Sequence, residues 1–276
     1  MSASALRDHH EPARGHAARE RGPPASRERG SCQMEFKLGS YKGAWKNGLF
    51  DGKGELKYSN GTHFSGTFFK GHKHGKGTLV SSGGYRYEGD WVNGRKTGFA
   101  SIRYKNGDGF VGEVKDGLRH GTGQLHDAAS QLSFKGRWHQ DVICGDVRIS
   151  SATWCFTGPM PNGEGLTQGE MKYSDNSIYS GSLKDFMHHG DGILNSSTGE
   201  CIDGIWAGNF NVHKATKKDK SGVYWKGNLR DLKPQGYMHV KLPNGQEYDG
   251  IWENGSMLRA LSVKNRSGQV SPYYMH

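Results

Sequence analysis

An aromatic residue, a glycine two positions on and an apolar residue two beyond that recur along this chain in a single register. The first residues of the unit are Tyr41, Phe64, Tyr87, Phe110, Phe134, Phe156, Tyr179, Ile202, Trp225 and Tyr248, 23 residues apart save for one spacing of 24 and one of 22. A period held this long is the mark of a repeat architecture, in which each unit buries its apolar face only against its neighbours.

Numbered from that first residue, every unit has glycine at position 3, from Gly43 to Gly250, and an apolar residue at position 5. Five of the seven tryptophans stand at position 5: Trp45, Trp91, Trp138, Trp206 and Trp252. Positions 1, 3 and 5 alternate, so on a strand they share one face. The second half of the better copies reads G-x-G-x-apolar, as in Gly52-Lys53-Gly54-Glu55-Leu56 and Gly190-Asp191-Gly192-Ile193-Leu194, and alternates in the same way. Each unit is therefore expected to be a β-hairpin. Its glycines leave bare backbone on which a neighbouring ring can lie. Asn60-Gly61, Asn106-Gly107 and Asn244-Gly245 recur at positions 20–21, and predict tight two-residue hairpin turns between units. A longer turn of about five residues is expected at positions 7–11.

The composition agrees. Glycine supplies 43 of 276 residues, roughly twice the average usage of about 7%, while only 33% of residues are hydrophobic and 11% are aromatic. The expected fold is all-β: an elongated antiparallel meander of about ten 23-residue hairpin repeats, forming a twisted single-layer sheet or trough. Residues 1–33, rich in Arg, Pro, Ala, Ser and Gly, are expected to be a disordered basic tail, residues 34–255 the repeat domain and residues 256–276 a C-terminal capping segment and tail. Glu35-Phe36-Lys37-Leu38 is a candidate capping strand, and Met257–Val263 a capping helix or strand. Three copies depart from the pattern. The sixth carries Pro159, Pro161 and an irregular Gly163, Gly165, Gly169 series; the eighth replaces its second half with residues 211–220; the ninth has Leu232 and Met238 where glycine is expected.

The pattern Y-x-G-x-W-x-x-G-x-x-x-G-x-G, carried most closely by Tyr41-Lys42-Gly43-Ala44-Trp45-Lys46-Asn47-Gly48 and Tyr87-Glu88-Gly89-Asp90-Trp91-Val92-Asn93-Gly94, resembles the MORN (membrane occupation and recognition nexus) repeat. The resemblance runs through about residues 41–255. It implies a scaffold at membrane–cytoskeleton junctions or in cilia and flagella, and evokes acidic phospholipid as a second type of partner.

Catalytic chemistry finds no foothold in the residues. No G-x-S-x-G is present. Gly71-His72-Lys73-His74-Gly75-Lys76-Gly77-Thr78 fails as a phosphate loop, because Gly77 separates Lys76 from Thr78. His74, His120 and His189 share position 11 but stand on separate units, and are read as turn or surface residues. Cys32, Cys144, Cys155 and Cys201 form no C-x-x-C pair, so neither zinc nor any other cofactor is expected. No apolar segment reads as a signal or a membrane span, which favours a reducing cytoplasmic setting, at the cytoskeleton, a cilium or flagellum, or a membrane periphery.

Two features remain for binding. One is the aromatic face, Tyr41, Trp45, Tyr87, Trp91, Trp138, Tyr179, Trp206, Tyr248 and Trp252, which is either the core of a thin sheet or a partly open groove that holds a peptide or helix. The other is the basic run Lys214, Lys217, Lys218 and Lys220, in a chain of net charge +10, which would draw the protein weakly to acidic lipid. The expected function is a non-catalytic protein-interaction scaffold. Direct binding of acidic phospholipid is the alternative. No nucleic-acid partner is expected, and pairing of open sheet edges into a homodimer is a further expectation.

Overall fold

A computed structural model describes residues 30–37, 39–160 and 167–272. Among them every regular element is a β-strand. The chain divides into two compact units at Ile149/Ser150.

The first unit contains β1 (Gly30–Phe36), β2 (Gly39–Lys46), β3 (Leu49–Tyr58), β4 (His63–Phe69), β5 (His72–Val80), β6 (Arg86–Val92), β7 (Arg95–Arg103), β8 (Gly109–Lys115), β9 (Leu118–Asp127), β10 (Leu132–His139) and β11 (Val142–Ser150). The second contains β12 (Trp154–Pro159), β13 (Gln168–Tyr173), β14 (Ile178–Lys184), β15 (Met187–Asn195), β16 (Cys201–Ala207), β17 (Val212–Lys218), β18 (Tyr224–Arg230), β19 (Lys233–Lys241), β20 (Glu247–Glu253), β21 (Ser256–Lys264) and β22 (Val270–Pro272). Consecutive strands pair antiparallel from β1 to β10 and from β12 to β22, so each unit is a meander of hairpins.

The register places small residues opposite one another on successive strands. Gly43 faces Gly54, which faces Gly66, then Gly77, Gly89, Ala100, Gly112, Gly123 and Gly136. The second unit has a row of its own, in which Gly169 faces Gly181, then Gly192 and Gly204. The position-1 ring of each hairpin lies across its row. A Cβ on Gly77 would come within 2.5 Å of the Phe64 ring, one on Gly54 within 2.6 Å of Tyr41 Cζ, and one on Gly192 within 2.5 Å of Tyr179 Cζ. Where Met238 replaces the glycine, its Sδ fills the space over Gly227 instead.

The rings are themselves packed edge to face. Phe64 meets Trp91 at 5.2 Å between centroids and 81°, and Tyr87 meets Trp91 at 5.2 Å and 79°. Phe110 meets Trp138 at 5.6 Å and 83°, and Tyr179 meets Trp206 at 5.4 Å and 82°. Such pairs contribute about 0.5–1.5 kcal/mol each beyond the area they bury. They let a chain poor in aliphatic residues form a core.

A bulge recurs at position 4. The register shifts between Gly43 and Trp45, Gly89 and Asp90, and Gly181 and Leu183. The tyrosine three residues back donates its hydroxyl to the position-4 carbonyl: Tyr41 to Ala44 (2.7 Å), Tyr87 to Asp90 (2.8 Å) and Tyr179 to Ser182 (2.8 Å). Three of the five position-5 tryptophans tie one repeat to the one before. Trp91, Trp138 and Trp206 donate their indole N–H to the carbonyls of Gly77, Gly123 and Gly192, at 3.2, 3.1 and 2.7 Å.

The turns correct the reading of the sequence. The two-residue turn with both residues at positive φ lies at positions 7–8, as in Asn47-Gly48 (φ 52 and 72) and Asn93-Gly94 (φ 49 and 81). At Asn60-Gly61, Asn106-Gly107 and Asn244-Gly245 only the glycine has positive φ. There Gly61 N–H closes onto the Tyr58 carbonyl, and the Asn60 side chain caps the Thr62 N–H. Asn-Gly suits both geometries, so the dipeptide alone did not distinguish them.

The N-terminal strand also starts earlier than expected, at Gly30, because residues 30–36 run in register beside β2, with Met34 opposite Tyr41. Met257–Val263 is strand, within β21. In the irregular eighth copy, β17 still pairs with both neighbours, through register shifts and with Lys214 at φ 49. Residues 1–29 of the expected tail lie outside the described residues, as do Leu38, Pro161, Gly163 and Gly165.

Replacing Gly192 by valine should force the Tyr179 ring off the row and cost about 1–3 kcal/mol by overpacking, read as a lowered midpoint in denaturant. Ser180→Val, on the opposite side of the same sheet, is expected to change stability by less than about 0.5 kcal/mol.

Candidate binding surfaces

The face opposite the glycine row and the face that carries the rings have different environments. Of the nine aromatic residues expected to meet a partner, Tyr41, Tyr87, Trp91, Trp138, Tyr179, Trp206 and Trp252 are buried, and Trp45 and Tyr248 are half-buried. The edge-to-face contacts and indole hydrogen bonds explain why: the rings are core, and the open-groove reading of these side chains does not hold for the buried seven. Burial pushes the Tyr179 phenol up to about 12, consistent with a hydroxyl held inside the sheet.

What covers the rings is a position that the sequence pattern did not single out. Position 10 lies on the return strand, directly over the ring of position 1. Phe50 stacks on Tyr41 at 3.6 Å and 11°, and His188 stacks on Tyr179 at 3.6 Å and 9°. In the second, third and fourth repeats the same place holds cations, and in the fifth the buried Ile143. Lys73 Nζ lies 5.4 Å from the Phe64 centroid and 2.7 Å from the Tyr58 hydroxyl. Lys96 Nζ lies 5.3 Å from Tyr87 and 2.9 Å from the Tyr85 hydroxyl, and Arg119 lies 4.5 Å from Trp138. Arg119 is buried and donates through Nε to Asp141 Oδ1 at 3.0 Å, so a turn aspartate of one repeat holds the cap of another. Phenylalanine, lysine, arginine and histidine have no common hydropathy, and their shared 23-residue spacing was the only signal available.

The four candidate lipid-binding lysines differ in their surroundings. Lys217 is half-buried and pairs with Glu200 at 3.0 Å. Lys214, Lys218 and Lys220 are exposed, with Lys214 in a bulge. The position-11 histidines lie on strands β5, β9 and β15 and not in turns; His189 is exposed as expected of a surface residue, while His74 and His120 are half-buried. Among the described residues no three His, Cys, Asp or Glu side chains converge on a metal-sized site, and no helix is long and apolar enough to cross a membrane.

The outward face, by contrast, shows large apolar side chains to solvent. Phe99 is 57% exposed and Val111 49%. They stand diagonally across β7 and β8, since Ser101 faces Val111 and Phe99 faces Glu113. The second unit has the same arrangement. Ile193 and Ile205 are 40% and 38% exposed and lie diagonally across β15 and β16, Asp191 facing Ile205.

The MORN repeat family model matches residues 41–63, 64–84, 87–109 and 110–129. No curated protein matches the sequence. Among solved structures, the chain is similar to the wild-type TCP10 domain of Danio rerio CPAP in complex with a peptide of Danio rerio STIL. The identity is 12%, over 88% of this chain and 97% of that one, with a TM-score of 0.43. It is also similar to the CPAP G-box domain, at 12% identity over 73% of this chain and 100% of that one, with a TM-score of 0.41. A third likeness is to the SAS-4 (dCPAP) TCP domain of Drosophila melanogaster with a proline-rich motif of Ana2, at 14% identity, 72% and 90% coverage and a TM-score of 0.26. At these identities and scores the likeness carries no functional argument.

His188 makes the core of the second unit sensitive to acid. It is 3% exposed, its Nε2 lies 2.6 Å from the Tyr173 hydroxyl, and its ring meets Trp206 at 4.8 Å and 89°. Burial lowers its pKa to about 4 from 6.5. Between those values the unfolded chain binds the proton and the folded one does not, so stability is full above about pH 6.5 and falls as pH drops toward 4. The loss should reach roughly 2 kcal/mol, after discounting the shift for solvent screening, and should register as a drop in unfolding midpoint followed by tryptophan fluorescence. His188→Phe, which copies Phe50 on Tyr41, should flatten that pH dependence.

Proposed function

The chain carries MORN repeats over residues 41–129, and from that premise we propose that it is a non-catalytic protein-binding scaffold that engages partners through the outward side of its sheet. The observation that carries this reading is the paired arrangement of exposed apolar residues, Phe99 with Val111 and Ile193 with Ile205, on a face that no neighbouring repeat covers. Apolar anchors set among charged residues are what protein interfaces use for affinity. Around Phe99 and Val111 stand Asp90, Glu113 and Arg103, on the same side of neighbouring strands. The ring face is occupied in holding the repeats together.

The partners suggested by the repeat family are cytoskeletal, ciliary or flagellar proteins. A tagged copy is accordingly expected to concentrate at the cilium or on the cytoskeleton in ciliated cells.

Quantitative co-purification from such cells tests the surface. Proteins retained by the wild type should fall at least about fivefold for Phe99→Glu/Val111→Asp or Ile193→Asp/Ile205→Asp, with thermal midpoints shifted by no more than a few degrees. Retention of the same proteins by every variant would remove the outward face from the proposal. Retention of nothing above a tag-only control would remove the scaffold itself.

A further inference from the structure

The hairpin tips of the second unit carry side chains that their backbone disfavours. At position 8 the first four repeats of the first unit use glycine in the left-handed conformation, Gly48, Gly71, Gly94 and Gly117 at φ 72, 84, 81 and 86, and the fifth has Asp141 at φ 67, the residue that holds Arg119. The second unit keeps Gly255 at its last tip (φ 88) but puts Phe186 at φ 62 and Leu232 at φ 60 in two others; both are half-buried, the Phe186 ring 5.2 Å from that of Trp154. A ring or a branched side chain in this region costs free energy that glycine avoids. Residues held in a disfavoured conformation cluster at functional sites, and the observed outlier is the place from which such an inference starts. The remaining tips add Phe210, 59% exposed, in the wider loop between β16 and β17, and Leu258, 55% exposed, just past the last tip.

These tips form a row. Gly208 N–H donates to the His188 carbonyl (3.0 Å), Leu232 N–H to Phe210 (2.9 Å) and Gly255 N–H to Pro234 (3.1 Å), so each tip leans on the one before it. Two strands separate successive tips, which puts Phe186, Phe210 and Leu232 about 9.6 Å apart, with Leu258 on β21 three residues past the last tip. An α-helix rises about 10.5 Å over seven residues and returns to nearly the same side, so an apolar residue at every seventh position meets one tip after another. An extended strand does not fit, because its same-face residues fall about 6.6 or 13.2 Å apart. The flanking charge has a sign. Lys184, Lys214, Arg230, Lys233 and Arg259 are exposed around the row against Asp185, Asp231 and Glu253.

We propose that the row of apolar hairpin tips Phe186, Phe210, Leu232 and Leu258 docks an acidic amphipathic helix that carries apolar residues at heptad spacing. This deepens the scaffold reading, on which it rests, by naming a second surface and the chemistry of its partner. The tip residues trade conformational ease for contact area, and the surrounding cations favour an acidic partner over a basic one.

The test uses the full chain and a synthetic helical peptide of about 22 residues, with Leu at every seventh position and Glu, Ala and Gln elsewhere. Two control peptides accompany it: one of the same composition with Leu at every fifth position, and a proline-rich decamer with Leu at every third, which repeats every ~9.3 Å. Binding is read by fluorescence anisotropy. The heptad peptide should bind, and Phe210→Gln and Leu232→Gly should each weaken it at least about fivefold. Leu232→Gly should at the same time raise the thermal midpoint by a degree or more, because glycine relieves the turn. A residue retained only for packing would lose stability when removed. Equal binding of the heptad peptide by Leu232→Gly and the wild type, absence of heptad-peptide binding, or tighter binding of either control peptide would overturn the proposal. The outward-face double variants separate the two ideas: if they lose cellular partners while the tip variants bind as the wild type does, the scaffold stands and the tip site falls.

Discussion

An aromatic ring laid across a pair of facing glycines is the contact on which the rest of this structure depends. The ring of Tyr179 rests where a Cβ on Gly192 would stand, and Phe64 rests in the same way on Gly77. Because the glycines face each other across strands, the rings can sink to the level of the backbone and still touch the next repeat edge-on. The bulge at position 4, the tyrosine hydroxyl that answers its carbonyl and the indole N–H that crosses to the preceding repeat all follow from that placement.

A core built this way tolerates variation at one place and resists it at another. Position 10 takes phenylalanine, lysine, arginine, isoleucine or histidine, because a flat or flexible side chain of any polarity can lie against rings that are already seated. The histidine version brings a titratable group inside the second unit, and the arginine version brings a buried ion pair between successive repeats. The turns vary too: glycine stands at most of the tips, while Asp141 holds Arg119 from one tip and Phe186 packs on Trp154 from another.

The side of the sheet opposite the rings is freed from packing. Its residues answer to solvent and to whatever binds there, which is why Phe99, Val111, Ile193 and Ile205 can remain exposed without loss to the core. The binding proposals rest on that separation: one face and its lids hold the repeats together, while the outward face and the tips are available.

The 23-residue register, the all-β meander and the glycine–aromatic core were legible in the chain, because strand alternation has a period of two and the glycine keeps its phase at position 3 in all ten copies and at position 14 in five. Three matters were not. Asn-Gly occurs in both kinds of turn, so which of them carries two residues at positive φ depended on the strand register around them. The lid at position 10 has no common chemistry to mark it; only the fold shows that Phe50 and His188 stack on their rings alike. Whether the aromatic stripe was core or groove also lay beyond the sequence, since the same tryptophans serve either purpose. Local pattern, in short, determines which residues share a face. Burial depends on what the neighbouring repeats place over that face, and that is a property of the packed sheet alone.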